Sequence, residues 1–404
     1  LFPPAVPDSR GAAGEPERGG RRRVRASVIS AALVAALVGY GSTIALVLAA
    51  AQAVGAGPAE TASWVAAICW AKAAGSALLS AWTRVPVVLA WSTPGAALIA
   101  ASAGVALPEA VGAFIAAGLL IALTGALPPL GRLVAAIPAA LASAMLAGVL
   151  LPFCMALARA AGTAPALVMP LVAAFMAVRL WNPVYAALAA LALAVPLAFG
   201  PGGNDLPPLA FDPLPFVLVP PAFDAGVLIG LGLPLYLVTM ASQNLPGFAV
   251  LRAAGYDPPV ARALGVSGLV SAAAAFLGAH TVNMAAITAA ICLGPEVHPD
   301  RERRWVVGLA YAAVWAGFGL AGAALVAVIL AMPAEIVAAV AGLALIAPFL
   351  GAAAGAFEPA ATRFPAAVTF FVTASGVAAL GIGAAFWGLV SGLAVLGFER
   401  LRRG

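Results

Sequence analysis

A helix needs about 20 consecutive apolar residues to cross the roughly 30 Å of hydrocarbon in a bilayer, and this chain supplies such runs along nearly its whole length. The spans fall at 28–53, 61–82, 85–103, 108–127, 136–158, 164–180 and 182–200. After a proline-rich loop they resume at 224–249, 258–278, 279–294, 304–330, 333–352, 363–381 and 383–398. That makes fourteen, of which the third and tenth are too short or too broken to be ordinary helices. Hydrophobic residues make up 64% of the 404 and charged residues 9%, where a soluble domain carries about 25% charge. The fold class expected is an all-α polytopic membrane protein of 14 transmembrane segments.

The positive charges set an orientation, because Lys and Arg concentrate in the cytoplasmic loops of membrane proteins. With the N-terminus inside, the loops that return to the cytoplasm hold Arg84, Arg132, Arg179, Arg252, Arg262, Arg301, Arg303, Arg304 and Arg363. The tail ERLRRG then ends inside as well. Of the loop and tail basic residues only Arg159 falls outside, and the external loop 201–223, which carries Asp205 and Asp212, has no Lys or Arg. One missed or invented helix would invert half of this pattern.

Residues 1–27 are rich in Pro, Gly, Glu and Arg and cannot bury enough apolar surface to fold. They read as a disordered cytoplasmic tail, and 399–404 as a short one. Arg21, Arg22, Arg23 and Arg25 look like the start of a signal peptide, but the span behind them is too long and lacks a small-residue cleavage site. A retained first helix is expected. The isoelectric point near 9.6 arises from loops and tails and does not point to a nucleic-acid partner. Cys69, Cys154 and Cys292 lie in apolar spans without metal-ligand spacing and read as packing residues, so neither a metal nor another cofactor is expected.

Fourteen spans divide into 28–200 and 224–398, and two units of seven must enter the membrane in opposite directions. An inverted repeat should carry its interruptions at equivalent places. GYGST (39–43) interrupts span one and STPG (92–95) span three. In the second half, TMASQN (239–244), followed by Pro246 and Gly247, interrupts span eight, and GAHTVN (278–283) span ten. Paired interruptions of this kind point to a transporter's midplane binding site, since non-helical backbone at membrane depth is tolerated only when buried in protein or lining a cavity. VPVVL (85–89) reads as extended, Ser92 or Thr93 as an N-cap, Pro94 as the first turn, and GAALIAASAG as a half-helix. HTVNMAAITAAI (280–291), with His280 at its start, offers the same arrangement from the other side. Two half-helix N-termini facing each other, each with free N–H groups and a partial positive charge, make an anion site without a basic side chain.

AWSTPGAALIA (90–100) and LPLYLVTMASQNLPGFAVLRAAGY (233–256) closely resemble signature stretches of the bacterial benzoate transporter family, which groups with the nucleobase–ascorbate and sulfate-permease transporters. The resemblance is strongest in these two segments and collinear, though weaker, across the other spans. It implies a 7+7 inverted repeat with short extended stretches in broken spans three and ten. It also implies a core domain from spans one to four and eight to eleven beside a gate domain from the rest. The implied function is proton-coupled uptake of an aromatic carboxylate such as benzoate by alternating access across the bacterial inner membrane. Substrate, protons and lipid are the implied partners, and pairing into a homodimer stays open.

Carried onto this chain, the lining implied by the resemblance is Tyr40, Ser42 and Thr43; Ser92, Thr93 and Gly95; Thr239, Gln243 and Asn244; and His280, Thr281 and Asn283. Related nucleobase transporters use a carboxylate in span eight, where this chain has Gln243 and Asn244. Glu60, Glu109, Asp224 and Glu335 all fall near outer span ends, and a midplane without carboxylates suits an anionic substrate. The proton carrier is open between His280 and Lys72, which sits about 16 Å from either end of span two at 1.5 Å per residue. Each also has a structural reading, as a neutral hydrogen-bonded histidine or as a lysine bonded to a carbonyl. The rival functions are a same-fold carrier of another anion or a nucleobase, an anion channel, or an intramembrane enzyme. The last lacks a nucleophile–base pair, with His280 and His298 the only histidines.

Overall fold

The computed structural model describes residues 17–403 apart from 103, 202, 210–211 and 380–381, and their side chains except at 17–25, 42, 133–135, 184, 287 and 403. The first helix, α1 (Glu17–Ala53), starts within the stretch expected to be a disordered tail. Residues 17–27 are therefore helical, as an extension of the apolar helix through arginines that are good helix formers; the rest of that tail lies outside the described residues. α1 bends by 41° between Ala26–Gly41 and Thr43–Ala53. The interruption expected at 39–43 is thus a bend and not an unwound segment. Thr43 Oγ1 donates back to Gly39 O at 2.8 Å, the kind of back-bond that bends helices.

α2 (Pro58–Thr83) and α4 (Leu107–Ala126) both begin with a carboxylate that accepts a backbone N–H: Glu60 from Gly57 at 2.6 Å and Glu109 from Ala106 at 3.1 Å. Asp224 does the same for Val227 at 2.9 Å. Three of the acidic residues expected near outer span ends are therefore helix caps. Between α2 and α4 the chain runs through a strand, β1 (Leu89–Trp91), into a short helix, α3 (Thr93–Ala100). Next come α5 (Pro128–Ala135), α6 (Ala139–Thr163), α7 (Pro165–Trp181) and α8 (Ala186–Phe199).

In the second half, α9 (Ala225–Val227), α10 (Leu233–Thr239) and α11 (Leu245–Ala253) form one helix joined by π-helical turns at Leu228–Gly232 and Met240–Asn244. The interruption expected at TMASQN is the second of these turns. Pro234 and Pro246 each lie two residues past the end of a π turn, and the wider turn absorbs the helix hydrogen bond that each proline cannot donate. α12 (Val260–Ala275) leads to the strand β2 (Val282–Met284) and the short helix α13 (Ile287–Leu293). α14 (Val306–Leu320) and α15 (Gly322–Leu330) form a pair bent by 59° where the sequence suggested one straight span. The chain closes with α16 (Ala334–Phe357), α17 (Arg363–Ala374) and α18 (Ala384–Arg403), the last carrying helix through most of the expected C-terminal tail.

Among the described residues six helices are long and apolar enough to cross a membrane, and the two bent pairs qualify if each is one span; α7, α8 and α12 are shorter apolar helices. Contacts between them are cut close by small residues, the usual means of packing helices without a hydrophobic drive between them. On α4 a Cβ at Gly118 would lie 2.8 Å from Ala272 N of α12, and one at Gly125 would lie 2.7 Å from Ala261 O. α2 packs in the same manner on α14, where Gly308 meets Ser80. α6 packs on α16 through Gly342, whose Cβ would sit 2.6 Å from Leu157 Cβ, and α17 lies between α6 and α18.

The two ends of the molecule differ chemically. At one end Arg84 lies 4.2 Å over the Trp305 ring, Arg262 lies 4.8 Å over Trp82, and Arg304 donates to Leu293 O and His298 O. At the other, the segment 217–222 is laid across helix ends: Val217 N donates to Ser63 Oγ, Val219 N to Phe276 O and Ala222 N to Pro108 O.

Candidate functional site

The two broken spans meet through their strands. β1 and β2 pair antiparallel with Leu89 opposite Met284, Ala90 opposite Asn283 and Trp91 opposite Val282. A two-stranded ribbon leaves outward N–H and C=O groups bare, and inside a membrane they must find partners in the protein. Serines on the flanking helices supply them. Ser76 Oγ of α2 accepts from Leu89 N and Ser271 Oγ of α12 accepts from Val282 N, both at 2.9 Å. Asn244 Oδ1 accepts from Met284 N at 2.9 Å, and the Tyr311 hydroxyl donates to Leu89 O at 3.0 Å. Asn244 thus belongs to the scaffold. Ser76, Ser271 and Tyr311 were not among the expected site residues, although a buried serine in each of spans two and nine is a legible hint.

Beyond β1, the backbone enters α3 at Ser92. Its N–H donates to Thr281 O at 2.9 Å and, with the Asn283 amide oriented as its neighbours require, to the Asn283 oxygen at 3.0 Å. Ser92 Oγ caps α3 by accepting from Gly95 N at 3.1 Å and is paired with Thr239 Oγ1 at 2.9 Å. Thr239 Oγ1 in turn lies 3.1 Å from Thr281 Oγ1. Ser92, Thr239 and Thr281 are fully buried, so one hydroxyl chain ties the start of α3 to α10 and to the lead-in of β2. The expected row of free N–H groups at α3 is reduced by this capping. Ser92 takes the Gly95 N–H with its hydroxyl and the Ala96 N–H with its carbonyl, and Pro94 has none. Among the described residues the Thr93 N–H is left over. Gly95 is a packing glycine, because a Cβ there would lie 2.5 Å from Leu235 Cδ1 and 2.7 Å from Ser92 Oγ.

His280 does not start the second half-helix; β2 intervenes and α13 begins only at Ile287. The imidazole is fully buried between two partners. Trp64 Nε1 donates to His280 Nδ1 at 3.0 Å, and His280 Nε2 lies 3.2 Å from Ser92 O. An indole nitrogen only donates and a carbonyl only accepts, so the ring is neutral with its proton on Nε2. A second proton, on Nδ1, would face the Trp64 N–H.

Lys72 lies on α2 one turn before Ser76 and is 1% exposed. Its Nζ is 2.8 Å from the centroid of the Trp315 ring and 4.2 Å from that of Trp91. Among the described residues it has neither a hydrogen-bond acceptor nor a carboxylate partner. A desolvated cation–π contact contributes about 2 kcal/mol, while burying an ammonium costs several kcal/mol. The rings offset only part of that cost. The Trp91 indole donates to Thr43 Oγ1 at 2.6 Å, and Tyr40 packs 5.7 Å from Trp91, 6.1 Å from Trp315 and 4.8 Å from Phe318. Tyr311, Trp315 and Phe318 share one face of α14 at helical spacing, a pattern visible in the sequence but absent from the expected lining. Gln243 is half-buried without a hydrogen-bond partner among the described residues, and the side chain of Ser42 lies outside them. No group of three His, Cys, Asp or Glu side chains among the described residues is placed to hold a metal ion.

The family model for the benzoate membrane transport protein matches residues 22–398. The chain belongs to this family. Within it, the chain is 38% identical over 363 residues to the inner membrane protein YdcO of Escherichia coli (strain K12), covering 90% of this chain and 93% of that one. It is 33% identical over 368 residues to the benzoate membrane transport protein of Acinetobacter baylyi, covering 91% and 93%. This member of the benzoate transport family is thus a transporter and not an enzyme, and a multi-pass protein of the bacterial inner membrane. Its fold is that of the transmembrane domain of the cyanobacterial bicarbonate transporter BicA, with a TM-score of 0.60 at 16% identity over 92% of this chain and 98% of that one. SLC26A9 gives 0.58 at 12% identity over 99% and 72%.

Proposed function

We propose that the protein carries benzoate or a related aromatic carboxylate inward with protons, by alternating access. The observation that carries the reading is the junction of β1 and β2, where hydroxyls from three segments meet beside aromatic rings and the buried amine of Lys72, with no carboxylate among them. In this reading the fourteen spans form a 7+7 inverted repeat. Spans one to four and eight to eleven make the core, and spans five to seven and twelve to fourteen the gate. Support comes from the matched roles of Ser76 and Ser271 and from the equivalent packing of α2 on α14 and α4 on α12. Of the two proton-carrier candidates, the fixed tautomer of His280 favours Lys72.

A ligand screen on purified protein tests the substrate class, because a ligand that binds only the folded state raises Tm by an amount that grows with the logarithm of its concentration over Kd. Benzoate or a hydroxybenzoate should raise Tm, and uracil, urate and sulfate should not. Stabilisation by uracil or sulfate alone would replace the reading with that of a nucleobase or inorganic-anion carrier.

A further inference from the structure

Four buried side-chain polar atoms among the described residues have no hydrogen-bond partner: Tyr40 OH, Trp70 Nε1, Trp315 Nε1 and Thr373 Oγ1. Two of the four belong to the ring cluster that surrounds Lys72. Folded proteins rarely leave such groups bare, and each one calls for an explanation. What gathers here is a set of donors. The ammonium has three N–H groups and no lone pair, the indole only donates, and the phenol is free to donate. The rings of Tyr40, Trp91, Trp315 and Phe318 pack against one another beside the amine, with paired centroids 4.8 to 6.1 Å apart.

We propose that Lys72 and Tyr40 receive the carboxylate of the substrate, with Trp91, Trp315 and Phe318 as the walls for its ring. A carboxylate only accepts, through two oxygens, and brings the negative charge that Lys72 lacks as a partner. The Lys72 amino group lies against the Trp315 face; a bound carboxylate would take over as its partner and leave that face to an aromatic ring. The hydroxyl chain of Ser92, Thr239 and Thr281 then acts as the wall behind Trp91 and not as the anion receptor. The inference rests on the reading of the protein as an aromatic-carboxylate carrier and adds the residues that recognise the charge.

Benzoate and its neutral near-isostere benzamide separate charge recognition from shape. Equilibrium binding of labelled benzoate and benzamide would be measured on the purified full chain and on Lys72→Met, Lys72→Gln and Tyr40→Phe. Charge-assisted hydrogen bonds in a dry site predict a loss of about 100-fold for benzoate in both Lys72 variants. Benzamide should change by less than about 3-fold, so the benzoate-to-benzamide preference disappears. Tyr40→Phe should lose about 10-fold on benzoate alone. Removing an unpaired buried charge should also leave ligand-free Lys72→Met at least as thermally stable as the parent. Benzoate binding to parent and Lys72→Met alike would overturn the inference while leaving the carrier reading intact. Unfolding of both Lys72 variants would overturn it too, by showing a structural lysine. No binding of any aromatic carboxylate to the parent would remove the carrier reading and this inference together.

Discussion

His280 is held between an indole that must donate and a carbonyl that must accept, and that fixes what substitution there should do. Glutamine can reproduce both bonds, with its oxygen toward Trp64 and its nitrogen toward Ser92, yet it takes up no proton. His280→Gln should therefore keep both substrate counterflow and accumulation driven by a pH gradient. Loss of accumulation with counterflow intact would return the coupling role to the histidine. Replacement by Leu strands the Trp64 N–H and should lower stability by about 1–3 kcal/mol, read as a drop in Tm. Gly95 illustrates how contacts redirect a residue's meaning. From the sequence it is a glycine that lets a ligand approach a helix end, whereas its neighbours show that it lets α3 approach Leu235. Gly95→Ala should destabilise by about 1–3 kcal/mol through overpacking, and Leu235→Ala in the same chain should recover part of the loss. A Gly95→Ala protein as stable as the parent would mean that α3 does not sit against α10 as described.

The broken spans are held as a pair of elements, each strand hung from a serine on its own neighbouring helix. Ser76→Ala and Ser271→Ala should each lower the unfolding free energy by about 1–3 kcal/mol, because each leaves a buried N–H without a partner. Similar losses at the two sites, measured as thermal unfolding in detergent, are expected from their matched roles; a neutral Ser271→Ala would break that equivalence. At this scale much was legible in advance. Ser92 followed by Pro94 and Gly95 is enough to write a helix start inside an apolar span, and Asn283 and Thr281 were placed beside it by the second interruption. The π turns were not legible, since TMASQN reads the same whether the helix opens or merely widens. Nor was the ring cluster beside Lys72. Its rings come from α1, β1 and α14, and contacts between elements so far apart in sequence leave no local pattern. The bend between α14 and α15 escaped for a related reason: it sits where Gly319 and Gly322 meet α2, and such glycines also occur in straight membrane helices.

Across the whole molecule, apolar length decided the fold class and the distribution of arginine decided which loops belong together. Arg84, Arg262 and Arg304 do gather at one end with their aromatic and carbonyl partners. Among the described residues the interior then carries one buried lysine and a set of unused donors, an arrangement suited to receiving negative charge and ill suited to a cation or a carboxylate-seeking base. The central claim is that this interior moves an aromatic carboxylate across the membrane, and counterflow of labelled benzoate in proteoliposomes tests it most directly. Protein-free liposomes give the background, because the neutral acid crosses lipid unaided. With excess unlabelled benzoate trapped inside, the account predicts a saturable, transient overshoot of label above that background. An imposed gradient, acidic outside, should sustain accumulation that Lys72→Met lacks. Label that equilibrates no faster than in protein-free liposomes, or an overshoot obtained with sulfate or uracil in place of benzoate, would contradict it.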